Sequence, residues 1–348
     1  MIKYLGSKRR LLPLIEQTID DIAADRAAGD DVTTVLDLFS GTARVGHALK
    51  KKGYRVVAND VTAYARTLAR CYVEADAEDV VDDAAEIIAE LNALPGKAGW
   101  FTELYAEQAR FFQRDNAARI EAAREHIATL SLSPTLEAVV LTSLMEAADR
   151  VDSTVGVQMA YLKQWSRRSH NPLELRMPDV PGRTRHAASQ VLQHDAVEAA
   201  AAVEVDIAYL DPPYNRHSYL SNYHVWETLV AWDAPEVYGI AKKRIDCKTR
   251  KSAFNTPSKF IAAFTDVVAA VRARSIVVSF SNEGAVAEDD LVAVLQRRGT
   301  VRLVAEQGYQ RYVGARIGIH GPKGNRVGEV SHTENVEYLF VVDVHAPA

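Results

Sequence analysis

The chain has 348 residues, a formal net charge of −5, and hydrophobic and charged contents of 48% and 25%, a balance typical of a globular protein rather than a disordered one. Its length allows one large α/β domain with an insertion, or two modest domains. Because it has no run long enough to cross a membrane, no apolar leader in residues 1–14 and only two cysteines, far apart, we expect a cytoplasmic protein without disulfides or a metal site.

The chain opens with a short loop followed by an amphipathic helix. Residues 2–8 read IKYLGSK, and apolar side chains then recur with helical spacing between Leu11 and Ile19. From these residues alone, an arm packed on a sheet and a loop that contacts a ligand are equally good interpretations.

A buried parallel strand and a tight turn follow. Residues 32–39 (VTTVLDLF) are apolar and β-branched, and the sequence SGTARVG then leads into a helix that we expect to end near Lys52. A dinucleotide-binding turn needs three glycines, whereas this turn has only Gly41 and Gly46. A single close approach of the backbone would suit a nucleoside ligand without phosphates, and a generic turn between strand and helix is the alternative.

An acidic residue follows the second predicted strand. Residues 53–58 form that strand, which ends at Asn59 and Asp60, about twenty residues beyond the first turn. In βαβ nucleoside sites, a carboxylate at this point accepts hydrogen bonds from the ribose hydroxyls. Asp60 could instead cap the helix that begins at Val61, and the two roles are compatible.

The middle of the chain is predominantly helical. Residues 62–94 have a helical and strongly acidic pattern, which the sequence PGKAG at 95–99 breaks, and further helices are expected at 100–130 and 134–150. Residues 152–185 have few helical periods and mix aromatic with basic side chains. A loop-rich basic segment of this kind is typical either of duplex contact or of a structural linker.

The most informative sequence is a strand that ends abruptly. A short strand at 191–194 precedes Asp195, and the apolar run 205–210 (VDIAYL) leads directly into DPPY at 211–214. Two consecutive prolines have fixed φ angles and no N–H, so the strand cannot continue and neighbouring carbonyls are free to accept hydrogen bonds. A carboxylate, a rigid carbonyl and an aromatic ring at the carboxyl end of a strand suit a planar amine.

Three further regions complete the pattern. Residues 242–251 contain a basic run, for which a solvated face is the favoured interpretation when the run is taken alone. Residues 272–282 predict another buried strand, and residues 301–306 and 336–342 predict a closing hairpin.

Several of these sequences resemble one known family. The DPPY sequence resembles the signature of the amino-methyltransferases, which transfer a methyl group from S-adenosylmethionine (SAM) to the exocyclic amine of a base. IKYLGSK is similar to the K-[YW]-x-G-x-K opening of the Dam-like (alpha-class, D12-class) DNA adenine-N6 methyltransferases. SGTARVG resembles their FxGxG-type cofactor turn, except that Ala43 replaces the second glycine. The continuation NRHSYLSNYHVWE is similar to that of several restriction-associated adenine methyltransferases.

The resemblance implies a fold and a function. The fold is α/β, a Rossmann-like class I SAM methyltransferase sheet of seven mostly parallel strands. Residues 1–94 and 187–348 would form the catalytic domain, and residues 95–186 an inserted, mainly helical and basic region that reads the target. The implied activity is site-specific methylation of adenine in duplex DNA by base flipping, in a restriction-modification system or as an orphan enzyme. Its partners would be double-stranded DNA, which it would bind at the nucleoid, and a companion restriction endonuclease where the system has one.

The resemblance also assigns roles to individual residues. One amine hydrogen of the target would be accepted by the Asp211 carboxylate and the other by the Pro212 carbonyl, while Tyr214 stacks on the base. The catalytic set is Asp211, Pro212, Pro213 and Tyr214. The expected SAM contacts are Tyr4, Gly6, Ser7, Lys8, Asp37, Phe39, Ser40, Gly41, Thr42, Asp60, Asp195 and Asp211. The expected DNA contacts are Lys163, Arg167, Arg168, Asn215, Arg216, Tyr219, Lys242, Lys243, Arg244, Lys248, Arg250 and Lys251.

Two other kinds of function remain open from the sequence. An RNA adenine methyltransferase or a DNA cytosine-N4 methyltransferase would share the signature, although the cytosine branch usually has Ser in the position of Asp211. An NAD-dependent dehydrogenase or a non-catalytic nucleotide-binding protein would share Gly41 and Asp60 but gives no reason for the DPPY sequence.

Overall fold

A seven-stranded β-sheet forms the centre of the structure, a computed structural model that describes residues 1–25, 31–214, 218–282, 286–310, 319–320, 326–328 and 334–345. The described strands are β1 (Thr34–Asp37), β2 (Arg55–Asn59), β3 (Gln190–Leu192), β4 (Glu204–Leu210), β5 (Val237–Tyr238), β6 (Lys243–Arg244), β7 (Arg272–Ser281), β8 (Gly299–Gln310), β9 (Ile319–His320), β10 (Arg326–Gly328) and β11 (Glu334–Val344). The sheet has the order β3-β2-β1-β4-β7-β11-β8. β11 is antiparallel to both of its neighbours, and the other pairs in this sheet are parallel. The short strands pair as β5 with β6 and β9 with β10.

Helices cover both faces of the sheet and build the middle of the chain. They are α1 (Leu12–Ala24), α2 (Arg44–Lys51), α3 (Ala63–Ala69), α4 (Ala77–Ala93), α5 (Trp100–Thr102), α6 (Arg114–Thr129), α7 (Pro134–Val151), α8 (Ala196–Ala202), α9 (Tyr219–Asn222), α10 (His224–Ala231), α11 (Pro257–Ala270) and α12 (Glu288–Leu295). Two π-helical segments, Arg70–Glu74 and Glu103–Gln108, follow α3 and α5. Within the ranges described above, no helix combines the length and the apolar character that a bilayer crossing requires.

The sheet is buried on both faces because successive strand residues point to opposite sides and both sets are apolar. Val35 and Ile207 lie in the core that α1, α2 and α3 cover, whereas Leu36 and Ala208 lie in the core beneath α8, α11 and α12. The predicted fold class is confirmed: the sheet has seven strands and is mostly parallel.

The strand predictions are confirmed as well. The segments predicted at 32–39 and 272–282 contain β1 and β7, and those predicted at 53–58 and 205–210 overlap β2 and β4 to within one residue at one end. The predicted hairpin corresponds to β8 and β11, which pair antiparallel along their length. The run of apolar and β-branched residues in each segment was therefore a sufficient signal.

The continuous helix expected at 100–130 is wrong. Residues 109–113 are not helical, and the N–H groups of Phe111 and Phe112 both donate to the Tyr105 carbonyl. Both phenylalanine side chains are buried, so this non-helical segment packs into the apolar core.

The middle helices share a core with the rest of the protein. Ile120 of α6 and Leu144 of α7 belong to the same apolar cluster as Ile15 of α1 and Tyr64 of α3. The division into a catalytic domain and an inserted region at 95–186 stays a prediction.

Glu121 of α6 anchors the start of the middle region. Its fully buried carboxylate accepts hydrogen bonds from the N–H groups of Gly99, Phe101 and Thr102 at 2.7, 2.9 and 2.9 Å, and from the Thr102 hydroxyl at 2.6 Å. These N–H groups lie at the amino end of α5, where a helix has no internal acceptors. One side chain therefore satisfies a helix end that is buried from water.

We expect Glu121→Ala to lower the free energy of unfolding by about 3 kcal/mol or more, because several buried donors lose their acceptor at about 1–3 kcal/mol each. Urea denaturation measures the change. The matched control is Glu125→Ala on the same helix, which removes an exposed ion pair with Lys97 and should cost at most about 1 kcal/mol. Equal losses in the two variants would contradict the anchoring role.

Candidate active site

The carboxyl ends of β1 and β4 lie side by side at the centre of the sheet. β1 pairs with β2 on one side and with β4 on the other. The strands that follow β1 in the chain are therefore added first to one side of it and then, from β4 onwards, to the other side. Asp37 lies opposite Tyr209, and the Leu38 N–H donates to the Tyr209 carbonyl at 3.2 Å. Ligands of open α/β sheets bind at such a reversal, outside the carboxyl ends of the strands. The turn at 40–43 and the DPPY sequence at 211–214 therefore leave the sheet next to each other.

The turn after β1 requires a left-handed backbone. Gly41 has a φ of +52°, and a Cβ at that position would lie 3.1 Å from the Tyr4 ring. Ala43 has a φ of +57°. An L-residue in this region costs roughly 1–2 kcal/mol, which explains why the pattern that this turn resembles has glycine where Ala43 stands.

Asp60 fastens this turn to the end of β2. One carboxylate oxygen accepts from the Gly41 N–H at 3.1 Å, and the other accepts from the Thr62 N–H at 2.9 Å and the Thr62 hydroxyl at 2.8 Å. Burial raises the pKa of Asp60, and the bonds from Thr62 and Gly41 oppose that rise. Asp60 does not cap a helix that begins at Val61, because α3 begins at Ala63 and follows Thr62; its carboxylate instead fixes Thr62 and lines the turn at the same time.

The other residues of this turn differ in burial and in hydrogen bonding. The Ser40 N–H donates to the Asn59 carbonyl at 2.9 Å, while its buried hydroxyl has no hydrogen-bond partner within the described ranges. Thr42 is buried, and the Phe39 ring packs edge-on against Phe254 with centroids 5.2 Å apart. A buried hydroxyl without a partner costs about 1–3 kcal/mol, so Ser40 fits a site completed by a polar ligand.

Asp37 is a buried carboxyl group that accepts a hydrogen bond from α2. Its Oδ2 accepts from the Gly46 N–H of α2 at 3.0 Å, and the residue is 1% exposed. Burial raises the pKa of Asp37 to about 7, and the neighbouring Asp211 and Asp60 add to the rise. Gly46 allows the close packing, since a Cβ there would lie 2.9 Å from the Val73 side chain.

Asp211 shares the Lys8 ammonium with a second carboxylate. Lys8 Nζ lies 3.1 Å from Asp211 Oδ1 and 3.1 Å from Glu337 Oε2, and the Tyr214 hydroxyl lies 3.5 Å from Glu337 Oε1. The Tyr214 ring centroid is 5.6 Å from the ammonium. Burial raises the pKa of Asp211 to about 6, against the opposing effect of Lys8. The structure thus brings the start of the chain, the DPPY sequence and β11 together at one point.

The amino-terminal loop packs into a group of tyrosines beside this point. The Tyr4 ring stacks against the rings of Tyr219 and Tyr223, with centroid distances of 5.1 and 4.6 Å and nearly parallel planes, and those two rings lie 6.4 Å from each other. A Cβ on Gly6 would lie 3.0 Å from the Tyr219 hydroxyl, and Ser7 is exposed. Aromatic stacking therefore fixes the loop against the turn at Gly41.

Asp195 lies at the neighbouring strand end. It is exposed and caps α8 by accepting from the Val197 N–H at 3.0 Å. The preceding His194 N–H donates to the Asn59 side chain at 3.0 Å, which places Asp195 next to the end of β2. Its contact with a cofactor stays a prediction.

The expectation for Arg244 needs correction. Its guanidinium is buried and donates to both carboxylate oxygens of Asp233 at 2.7 Å, with Asp246 at 3.2 Å. A buried guanidinium that holds two carboxylates is not available to a phosphate. Its role in this geometry is to hold the hairpin of β5 and β6 on the body of the protein.

Two other predicted basic residues are also held by internal carboxylates. Arg168 donates to the buried Asp152 at 2.8 Å, and Arg250 binds Glu227 at 2.9 Å and Asp246 at 3.1 Å. Both guanidinium groups remain about one third exposed, so they combine an anchoring contact with access to solvent.

The remaining predicted basic residues that the structure describes are accessible to solvent to different degrees. Lys163, Arg167, Lys248 and Lys251 are exposed, and Lys242 and Lys243 are half-buried. Lys243 lies 3.2 Å from the Met159 sulfur, and Gln158 binds the first turn of α10, so the hairpin and the loop at 154–161 both border the helices that follow DPPY. Asn215 and Arg216 lie outside the described residues.

Three residues at the site were missed by the sequence reasoning. Glu337 comes from β11, and Tyr64 and Tyr223 complete the tyrosine group around Tyr4. An acidic residue within the apolar sequence VEYLFVV was the available signal for Glu337.

Residues 4–281 match the family described as D12 class N6 adenine-specific DNA methyltransferase. The chain belongs to this family. Within the described ranges of this D12-class chain, no group of three or more His, Cys, Asp or Glu side chains is arranged to hold a metal ion.

Curated relatives of the D12-class chain are modification enzymes by name. It is 31% identical over 314 residues to the type II methyltransferase M.FokI of Planomicrobium okeanokoites, covering 86% of this chain and 47% of that protein. It is 28% identical over 309 residues to the modification methylase StsI of Streptococcus sanguinis, covering 85% and 46%. It is 28% identical over 340 residues to the type II methyltransferase M.NlaIII of Neisseria lactamica, covering 95% and 98%. The chain thus spans about half the length of the first two relatives and nearly all of the third.

Asp37→Asn should stabilise the protein at pH 8. Because the folded state raises the pKa of Asp37 from 3.8 to about 7, it favours the protonated group, and this contribution is lost as the pH rises through about 7. Asparagine has no charge to bury, so the variant should gain about 1–3 kcal/mol at pH 8 and less towards pH 4. Urea denaturation at each pH measures the difference.

Asp206→Asn is the control of opposite sign. Burial opposes ionisation of Asp206, but hydrogen bonds from Thr33 and Thr34 outweigh it and lower its pKa, so its carboxylate stabilises the fold until the pH falls. This variant should therefore be less stable than the wild type at pH 8. A loss of stability in both variants at pH 8 would contradict the cost of burying Asp37.

Proposed function

We propose that this protein methylates the N6 amine of adenine at a specific site in double-stranded DNA, with SAM as the methyl donor. The strongest support is the position of Asp211, at the end of β4 and beside the turn that Asp60 holds. Membership of the D12 class agrees with this activity. We propose further that it acts in the cytoplasm at the nucleoid, with a companion restriction endonuclease or as an orphan modification enzyme.

The residues at the ends of β1 and β2 fit SAM. The Asp60 carboxylate lines the turn and suits the ribose hydroxyls, and the buried Ser40 hydroxyl has a free hydrogen-bonding capacity within the described ranges. Gly41 allows the Tyr4 ring to approach the turn closely, which makes Tyr4 a candidate cofactor contact, and Asp195 is the candidate for the adenine moiety. When bound, SAM supplies a methyl group activated by a positively charged sulfur.

The DPPY residues would make the target amine reactive. That amine is a poor nucleophile because its lone pair is delocalised into the ring. If Asp211 accepts one N–H and the Pro212 carbonyl accepts the other, the nitrogen becomes pyramidal and its lone pair is directed at the methyl carbon. That lone pair would form the bond from nitrogen to the methyl carbon, the electron pair of the breaking carbon–sulfur bond would stay on sulfur, and one proton of the methylated amine would pass to solvent water. Asp211 stabilises the positive charge that develops on nitrogen.

The target base must leave the duplex to reach Asp211. Flipping costs a few kcal/mol, which stacking on Tyr214 and hydrogen bonds to the base edge would offset. The exposed Lys163, Arg167, Lys248 and Lys251 would bind phosphates and so position the duplex over the site. Target sequence would be read by residues of the loop at 154–161 and the region around it.

We expect Asp211→Ala to reduce methyl transfer at least about 100-fold, because loss of one preorganised polar group at a reacting centre costs roughly 10²–10³ in rate. Labelled SAM, followed by digestion of the DNA to nucleosides, measures transfer and identifies the product as N6-methyladenine. SAM affinity should fall only slightly. The control is Glu204→Ala at the other end of β4, which removes an exposed ion pair with Arg272 and should leave the rate unchanged. Full activity of the Asp211 variant would remove that residue from the mechanism.

Lys242→Ala and Lys248→Ala should weaken DNA binding equally for all sequences. Each phosphate contact that is lost should lower the slope of log K against log salt concentration by about one. Titration of labelled duplex at several salt concentrations measures the slope. Lys97→Ala is the control, because Lys97 is exposed but paired with Glu125 in the middle region. A slope that changes in the control but not in the other two variants would place the DNA elsewhere.

A further inference from the structure

Glu337 brings a second carboxylate to the acceptor site from a distant part of the chain. It lies near the amino end of β11, opposite Ser281 of β7 and immediately before the apolar residues of that strand. The residue is only 8% exposed. A buried carboxylate is costly unless charged or polar partners compensate it, and here the Lys8 ammonium at 3.1 Å and the Tyr214 hydroxyl at 3.5 Å do so.

Lys8 alone would oppose the proposed reaction. Its ammonium lies 3.1 Å from Asp211 Oδ1 and so competes with the target amine for that oxygen. Its positive charge would also cancel the charge of Asp211 and repel the positive charge that develops on the attacking nitrogen. A second anionic group is therefore required to bind the Lys8 ammonium when the target amine binds to Asp211.

We propose that Glu337 is a positioning residue that retains the Lys8 ammonium when the target amine replaces it at Asp211. This inference rests on the proposed methyl transfer. Two carboxylates and one ammonium leave the group with one net negative charge, which stabilises the charge that passes to nitrogen. Glu337 also accepts from the Tyr214 hydroxyl and so orients the ring expected to stack on the base.

The charges around Asp211 predict how its protonation depends on Glu337. The groups that face Asp211 are Lys8 from the amino-terminal loop, Glu337 from β11, Asp37 from β1, and the phenols of Tyr209, Tyr214 and Tyr219. After burial and Lys8, Glu337 is the next largest influence on the pKa of Asp211, and it raises that pKa. Removing the charge of Glu337 should therefore move the protonation of Asp211 to lower pH.

Glu337→Gln should lower kcat at least tenfold, because Lys8 then stays on Asp211. SAM affinity should stay within about twofold, and the acid limb of the kcat/KM profile should move to lower pH, which a purely structural defect would not produce. Glu337→Asp should restore part of the rate. Adding Glu337→Gln to Lys8→Met should cost no more than Lys8→Met alone, because Glu337 acts through Lys8. The control is Asp343→Asn, which removes an exposed carboxylate on the same strand and should change neither rate nor profile.

A second measurement separates this inference from the proposed function. Wild-type protein that transfers no methyl group to adenine in DNA would overturn the proposed function itself. In that case, the carboxyl ¹³C resonance of Asp211, assigned by its loss in Asp211→Asn, still reports the titration midpoint of Asp211. This midpoint must fall in Glu337→Gln and stay near the wild-type value in Glu337→Asp. If Glu337→Gln does not fold, Glu337→Ala takes its place in the measurement. An unchanged kcat or an unchanged midpoint in folded Glu337→Gln overturns the role of Glu337.

Discussion

The pairing of β1 with β4 is the constraint on which the site depends. The bond between the Leu38 N–H and the Tyr209 carbonyl fixes the point at which both strands end. Beyond it, one chain enters the turn that Asp60 holds, and the other meets two prolines and cannot extend the ladder. Because the sheet is packed on both faces, the polar groups of these strands gather at the strand ends, and at this end the turn and the DPPY sequence meet.

Acidic groups accumulate at that edge and have to be compensated. Asp37, Asp60 and Asp211 lie at the ends of three neighbouring strands, and burial raises the pKa of each. Backbone N–H groups compensate Asp37 and Asp60, whereas Asp211 depends on Lys8. The fold thus accepts a cost in stability in order to keep acceptors where a cationic or amine-bearing ligand would bind.

The sequence was sufficient where the signal is local. The DPPY sequence and the strands before Ser40 and Asp60 could be predicted because composition and strand-end chemistry act over a few residues. The partner of Lys8 could not, since Glu337 is 329 residues away and meets it only through the order of the sheet. Arg244 was misassigned for a related reason: its charge is visible in the sequence, but the Asp233 and Asp246 carboxylates that bind its guanidinium are not recognisable as its partners there.

The position of β11 has a consequence for biogenesis. This strand is the last of the described elements, yet it lies between β7 and β8, which are made earlier. During translation, β7 has an open edge until residues 334–344 leave the ribosome and fill the gap. The nascent chain therefore completes the sheet and gains a partner for Lys8 in one late step. A shortened product that lacks this strand would expose unpaired strand edges, which favour aggregation and chaperone binding.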